Sequence, residues 1–208
     1  MALIEDAILA FDRGLKTLTG QAGAARMNPA GKTMDGTLDD TEREHAAGLM
    51  RVNHTGEICA QALYEGQAAT ARDPETRSML KSAADEEGDH LAWCRQRLNE
   101  LDAKPSVLDP LFYLASYTLG ALTGMAGDKV SLGFVEATED QVCAHLEDHL
   151  ESLPPGDQRS REILKQMHQD EARHGRQALA HGGDEFSESV KGLMRMVSRV
   201  MTETSYRI

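Results

Sequence analysis

Six residues in this chain have the types and spacing to hold a pair of metal ions: Glu57, the pair Glu87-x-x-His90, Glu139, and the pair Glu171-x-x-His174. Each lone glutamate precedes its Glu-x-x-His pair by a similar interval, 30 residues in the first half and 32 in the second. Residues three apart share a helical face, so each pair offers a carboxylate and an imidazole side by side. Oxygen and imidazole donors without a thiolate suit iron or manganese with open positions. Zinc prefers a closed tetrahedral set or a three-ligand catalytic one. The chemistry open to such a centre is redox work on dioxygen.

Positioning these groups requires four helices. Asp73-Pro74 lies almost midway between Glu57 and Glu87, and Pro155 of Pro154-Pro155-Gly156 lies 16 residues from both Glu139 and Glu171. A chain folded back at these turns forms two helical hairpins with nearly equal arms. Each lone carboxylate then returns to the level of its Glu/His pair. That is the ligand pattern of a di-iron carboxylate site in a four-helix bundle.

The helical faces agree. Leu80, Ala83, Ala84, Leu91 and Cys94 share the face of Glu87, while Leu132, Val135, Val142 and Leu146 share that of Glu139. Leu164, Met167 and Ala178 share that of Glu171, and the face of Glu57 is mixed, with Asn53, His54, Gln61 and Tyr64. Ionised carboxylates on apolar faces are costly to bury unless paired or metal-bound. A third Glu-x-x-His, Glu42 and His45, falls at a helix start where the dipole favours an acid, and reads as a surface pair. Cys94 and Cys143 lie about one turn from Glu87 and Glu139 and read as core filler rather than zinc ligands. His54 and His168 are candidates for hydrogen bonding to the ligands. His145 and His149 have the spacing of a histidine metal pair but lie off the Glu139 face; His149 is expected to be exposed.

The remaining chain fits an all-α domain. At 208 residues it can bury a real core, its aromatic content is only 4 %, and its net charge of −12 argues against nucleic acid. Three scattered cysteines read as reduced thiols. With no leader or transit segment, a cytoplasmic setting is expected. An amphipathic helix is predicted over 3–18, followed by a Gly-rich linker to residue 40. Long helices are then predicted over about 41–72, 74–102, 128–153, 157–181 and 184–206, N-capped first by Asp40 or Thr41.

Pro110–Gly127 has no charged residue. Its glycines and hydroxyls make it only moderately apolar, and a true span would separate hairpins that must share one site. It reads either as a buried crossover helix or as an apolar lip at a membrane interface. Lys191, Arg195 and Arg199 beside an apolar face near the C-terminus suggest contact with anionic lipid.

Arg51-Val-Asn-His-Thr-Gly-Glu57-Ile-Cys-Ala, Asp85-Glu-Glu-Gly-Asp-His90-Leu and Asp170-Glu-Ala-Arg-His174 together resemble the demethoxyubiquinone hydroxylase family of ubiquinone biosynthesis. The resemblance covers residues 41–208 and implies a ferritin-like bundle of two hairpins joined by a long crossover, with extra N- and C-terminal helices. It implies one iron on Glu57, Glu87 and His90 and another on Glu139, Glu171 and His174, with Glu87 and Glu171 able to bridge. The implied activity is a monooxygenase adding a hydroxyl to a demethoxy polyprenyl benzoquinol, with dioxygen as co-substrate and NADH or a reductase as electron source. A peripheral place on the inner face of the cell membrane and a lipid-presenting accessory protein are also implied. A ferritin-like ferroxidase without a quinone substrate is the alternative.

Overall fold

The computed structural model describes residues 12–21 and 23–208, and its regular elements are all helical. The described part of α1 is residues 12–19. There follow α2 (Asp40–Thr70), α3 (Pro74–Glu100), α4 (Asp109–Ala126), α5 (Asp128–Ser152), α6 (Gln158–Ala180) and α7 (Glu188–Ser205). Residues 3–11 of the expected first helix lie outside the described residues. The fold is the ferritin-like bundle: α2 and α3 pack as one hairpin, α5 and α6 as the other, and α4 crosses between them along α2.

Local chemistry sets the helix ends. The Asp39 carboxylate accepts from the backbone N–H of Glu42 at 2.9 Å, and Glu42 accepts in return from that of Asp39 at 3.0 Å. This reciprocal cap starts α2 one residue earlier than expected and commits Glu42 to the helix end. Asp73 caps α3 by accepting from Thr76, with Pro74 in the first turn, where no N–H is missed. Asp157 caps α6 and also pairs with the buried Arg97 at 2.8 Å, tying the end of α3 to the start of α6.

These ends set the depth of the ligands. Glu87 lies 13 residues before Glu100, Glu139 lies 13 before Ser152, and Glu171 lies 13 after Gln158. At 1.5 Å per residue each sits about 20 Å from its helix end. Contacts between Arg97 and Asp157, and between His45 and Ser152, bring these ends to one side of the bundle. Apolar packing closes the bundle on either side of this level, with Met50, Leu98, Leu146 and Leu164 in one cluster and Leu80, Leu132 and Val135 in the other.

The uncharged crossover is not a buried helix but lies at the surface with an open apolar face. Of α4, only Asp109, Gly120 and Gly124 are buried, while Leu111, Leu114, Leu122 and Met125 are all more than half exposed. A Cβ at Gly120 would strike the Leu63 carbonyl, and one at Gly66 the Tyr117 carbonyl, so the two glycines set how closely the helices approach. Polar groups hold the start of α4: Asp109 accepts from Thr55 at 2.7 Å and lies 3.3 Å from His54 Nδ1. No helix among the described residues is long and apolar enough to cross a membrane.

Residues 20, 21 and 23–39 are irregular, as their glycines predict, but they are pinned at several points. Ala30 is fully buried beside Trp93 and Leu98, Asp35 pairs with Arg97 at 2.8 Å, and Arg159 donates to the carbonyls of Ala30 and Thr33.

Gly120→Val should destabilise the protein by about 1–3 kcal/mol through overpacking, whereas Leu122→Ala on the open face of α4 should stay within about 0.5 kcal/mol. Urea unfolding of the two variants checks this difference.

Candidate metal centre

All six predicted ligands converge at the middle of the bundle, and none is more than 4 % exposed. α2 contributes Glu57, α3 Glu87 and His90, α5 Glu139, and α6 Glu171 and His174. They form two clusters: Glu57, Glu87, His90 and Glu171 in one, and Glu87, Glu139, Glu171 and His174 in the other. Within each, one donor atom per residue lies within 4.8 Å of the others.

The shared residues are Glu87 and Glu171, and each turns one oxygen to each side. Glu87 places Oε2 at 2.9 Å from His90 Nδ1 and Oε1 at 3.2 Å from His174 Nδ1. Glu171 places Oε1 at 2.9 Å from His90 Nδ1 and Oε2 at 3.0 Å from His174 Nδ1. Two carboxylates that each span two donor clusters would each be able to serve a cation on either side. Glu57 approaches only His90, at 3.4 Å, and Glu139 belongs only to the His174 cluster.

The electrostatics ask for a cation. Burial pushes the Glu57 and Glu139 carboxyls well above the ordinary carboxylate range, and neighbouring glutamates push them further. Burial also opposes charge on Glu87, but hydrogen bonds from His174 and His90 outweigh it and hold that carboxyl below its usual range. Burial opposes charge on the imidazoles too, yet Glu171 and its neighbours raise His90 well above its ordinary value and raise His174 to about 11. Without metal, the carboxylates must therefore keep protons close by. Glu57 Oε2, Glu87 Oε1 and Glu171 Oε1 are moreover buried, and each faces an imidazole Nδ1, at 2.9–3.4 Å, that it shares with other carboxylates. Buried oxygens of a hard donor set that outnumber their donors fit a metal ion.

The outer nitrogens of both histidines face acids from the opposite hairpin. His90 Nε2 lies 3.1 Å from Asp170 Oδ2, and His174 Nε2 lies 3.6 Å from Glu86 Oε2. Asp170 immediately precedes Glu171 and Glu86 immediately precedes Glu87, so the two halves use matched positions. Arg173 joins the two acids, donating to Glu86 at 2.6 Å and to Asp170 at 2.9 Å. Tyr64, two turns after Glu57, donates its hydroxyl to Glu139. Such partners fix ring orientation and ligand basicity. Sequence reasoning missed Asp170 and Glu86 in this role, though the repeated acid before each bridging glutamate was a signal for both.

Several other expectations are redirected. His168 does not support the ligands; it bonds Glu147 near the surface at 3.0 Å. His54 is fully buried but is engaged with Asp109 and Arg95. His149, expected in solvent, is 7 % exposed and packs against His145 with ring centroids 3.8 Å apart. Burial, then the neighbouring His145 and His45, lowers its pKa to about 3, so it packs as a neutral ring. His45 bonds Tyr206 and Ser152, and Cys94 packs on Met167. Glu136, one turn before Glu139, is taken by Lys191 at 3.0 Å.

The family model described as ubiquinone biosynthesis protein COQ7 matches residues 44–205. A relative from Marinomonas sp. (strain MWYL1), named 3-demethoxyubiquinol 3-hydroxylase, is 53 % identical over the full length of both chains. Relatives of the same name from Chromohalobacter salexigens and Ectopseudomonas mendocina are 56 % and 54 % identical; they cover 95 % and 99 % of this chain, and 93 % and 96 % of their own lengths are matched. The chain belongs to this ubiquinone biosynthesis family.

Loading the centre with divalent metal should displace protons now held among these groups, roughly two to four per chain. Because protons compete with metal and His174 holds its proton up to about pH 11, apparent affinity should rise with pH throughout the range below that value. Calorimetric titration in buffers of different ionisation enthalpy reads the proton count; metal uptake without proton release contradicts this electrostatic picture.

Proposed function

We propose that the chain hydroxylates the ring of a demethoxy polyprenyl benzoquinol at a pair of iron ions held by Glu57, Glu87, His90, Glu139, Glu171 and His174. The observation that carries this reading is the pair of glutamates, Glu87 and Glu171, each shared between two buried donor clusters. The name borne by the relatives favours hydroxylation over a ferroxidase role. Iron, when bound, supplies the redox capacity and open coordination positions that dioxygen chemistry requires. Overall, one oxygen atom of dioxygen enters the ring as hydroxyl. The other leaves as water with two electrons from NADH, directly or through a reductase.

The protein's own groups supply order, dryness and proton access. Glu87 and Glu171 fix the two clusters relative to each other. The Tyr64 hydroxyl holds Glu139, and the flanking apolar clusters keep water from the centre. On the His174 side, a cleft of about 320 Å³ reaches in from Glu75 and His181 to Glu86 and Arg173. It is the natural path for protons, since Glu86 and His174 both line it and Glu86 lies 3.6 Å from the outer nitrogen of His174.

The quinol's isoprenoid tail requires an apolar approach, and the open face of α4 supplies one through Leu111, Leu114, Leu119 and Leu122. α7 adds Leu193, Met196, Val197 and Val200 as exposed apolar groups. Its cations are largely committed: Lys191 pairs with Glu136 and Asp140, Arg195 with Glu188, and Arg199 with Glu203. Apolar area, more than net positive charge, is therefore what these helices offer to lipid. This surface supports a reading of peripheral contact with the inner face of the cell membrane or with a lipid-presenting accessory protein.

Anaerobically reconstituted protein should bind about two ferrous ions per chain and convert a demethoxy-quinol to its hydroxylated product. Glu171→Ala should lose the iron while Glu42→Ala keeps it, because Glu42 serves only the helix cap; equal retention would mean the ligands are misassigned. Leu119→Glu should lower turnover of long-tailed quinols about tenfold and leave a short-tailed analogue nearly unchanged. Equal losses on both substrates would remove α4 from the tail's route.

A further inference from the structure

Arg26 lies outside the stretch matched by the family model, in the irregular arm before α2. Its contacts are nevertheless with the centre. The backbone N–H groups of Ala25 and Arg26 donate to Asp89 Oδ1 at 2.6 and 3.3 Å, and Arg26 Nε donates to Asp89 Oδ2 at 2.7 Å. Arg26 Nη1 donates to Asp170 Oδ2 at 2.9 Å, and Nη2 lies 3.2 Å from His90 Nε2. The guanidinium sits 4.9 Å from the centroid of the Trp93 ring. One side chain from the arm thus links α3 of the first hairpin to α6 of the second. The oxygen it grips is the one that faces His90.

The internal repeat explains why an outside residue is needed. Two residues beyond Glu171 stands Arg173, which reaches across to Glu86, the partner of His174, and back to Asp170. Two residues beyond Glu87 stands Asp89, an acid, so α3 has no cation at the matching place to reach across to Asp170. Asp89 instead holds Arg26, and Arg26 makes the cross-hairpin contact. In this way the arm restores a charge that the first half of the repeat lacks.

We propose that Arg26 is a positioning residue for the His90 half of the metal centre. By fixing Asp170 Oδ2 against His90 Nε2, it holds the ring so that Nδ1 faces Glu57, Glu87 and Glu171. Without it Asp170 keeps Arg173 on Oδ1 and only the neutral Gln166 amide on Oδ2, at 3.3 Å, and Asp89 is left with backbone donors only. The proposal rests on reading the six buried residues as metal ligands, and it makes the N-terminal arm part of the site.

The test compares wild type with Arg26→Gln and Arg26→Lys in the full chain. Ferrous affinity is measured anaerobically against a competing chelator, alongside the Mössbauer spectrum of enriched iron and thermal unfolding of the metal-free protein. Outer-partner loss at metal sites weakens binding about 10–100-fold. Arg26→Gln should weaken one of the two irons by that factor, alter one of the two iron signals, and leave the other iron unchanged. Arg26→Lys, whose single ammonium cannot serve both acids as a guanidinium does, should recover only part of the loss. Two outcomes overturn the proposal: both irons bound as in wild type with an unchanged spectrum, or both weakened equally with a matching loss of metal-free stability. If Arg26→Gln does not fold, Arg26→Lys decides by the same two signals. Wild type that binds no iron would instead refute the ligand assignment itself.

Discussion

Four glutamates buried at one level of a helical bundle are the constraint around which this molecule is arranged. Each carboxylate removed from water carries a penalty on the order of several kcal/mol unless a cation or a proton offsets it. Among the described residues no lysine or arginine enters the inner cluster; the arginines stand one layer out, on Glu86, Asp89 and Asp170. Two imidazoles and the Tyr64 hydroxyl share the interior with the acids, and the outer acids face the imidazoles. Metal ions bound among these groups would resolve the conflict that the side chains alone leave open.

The outer layer also breaks the symmetry of the repeat. The inner ligands are matched between the hairpins in type, spacing and depth. Around them, Arg173 serves the His174 side from within its own helix, while the His90 side draws Arg26 from a separate segment. A cleft reaches the His174 side, and the arm covers the His90 side. The two donor clusters therefore sit in unequal surroundings. Such inequality suits a reaction in which small co-substrates and protons must approach from one direction and a large apolar ring from another.

Much of the fold and the inner site was legible in the sequence, for identifiable reasons. Helical periodicity and two proline-marked turns encode the hairpins, and near-equal arms encode the common depth of the ligands. The helical faces and the helix start set the two internal Glu-x-x-His pairs apart from Glu42 and His45, and Glu42 is committed to the cap of α2. What was not legible depends on contacts between distant segments. Nothing local in Arg26 announces its grip on Asp89 and Asp170, 63 and 144 residues away. His149 was expected in solvent because its own helix places it off the ligand face; packing against His145 buries it. Composition could not decide whether α4 lies inside or outside. Its glycines, read as tempering hydrophobicity, prove to be the face that docks on α2 and turns the leucines outward.

The central claim is that two metal ions share Glu87 and Glu171. Anomalous diffraction at the iron edge, from crystals of ferrous-loaded protein, tests it most directly. Two peaks should lie between the four long helices, each contacted by one oxygen of Glu87 and one of Glu171, with His90 on one and His174 on the other. A single peak, or peaks bound away from these two glutamates, would contradict the account.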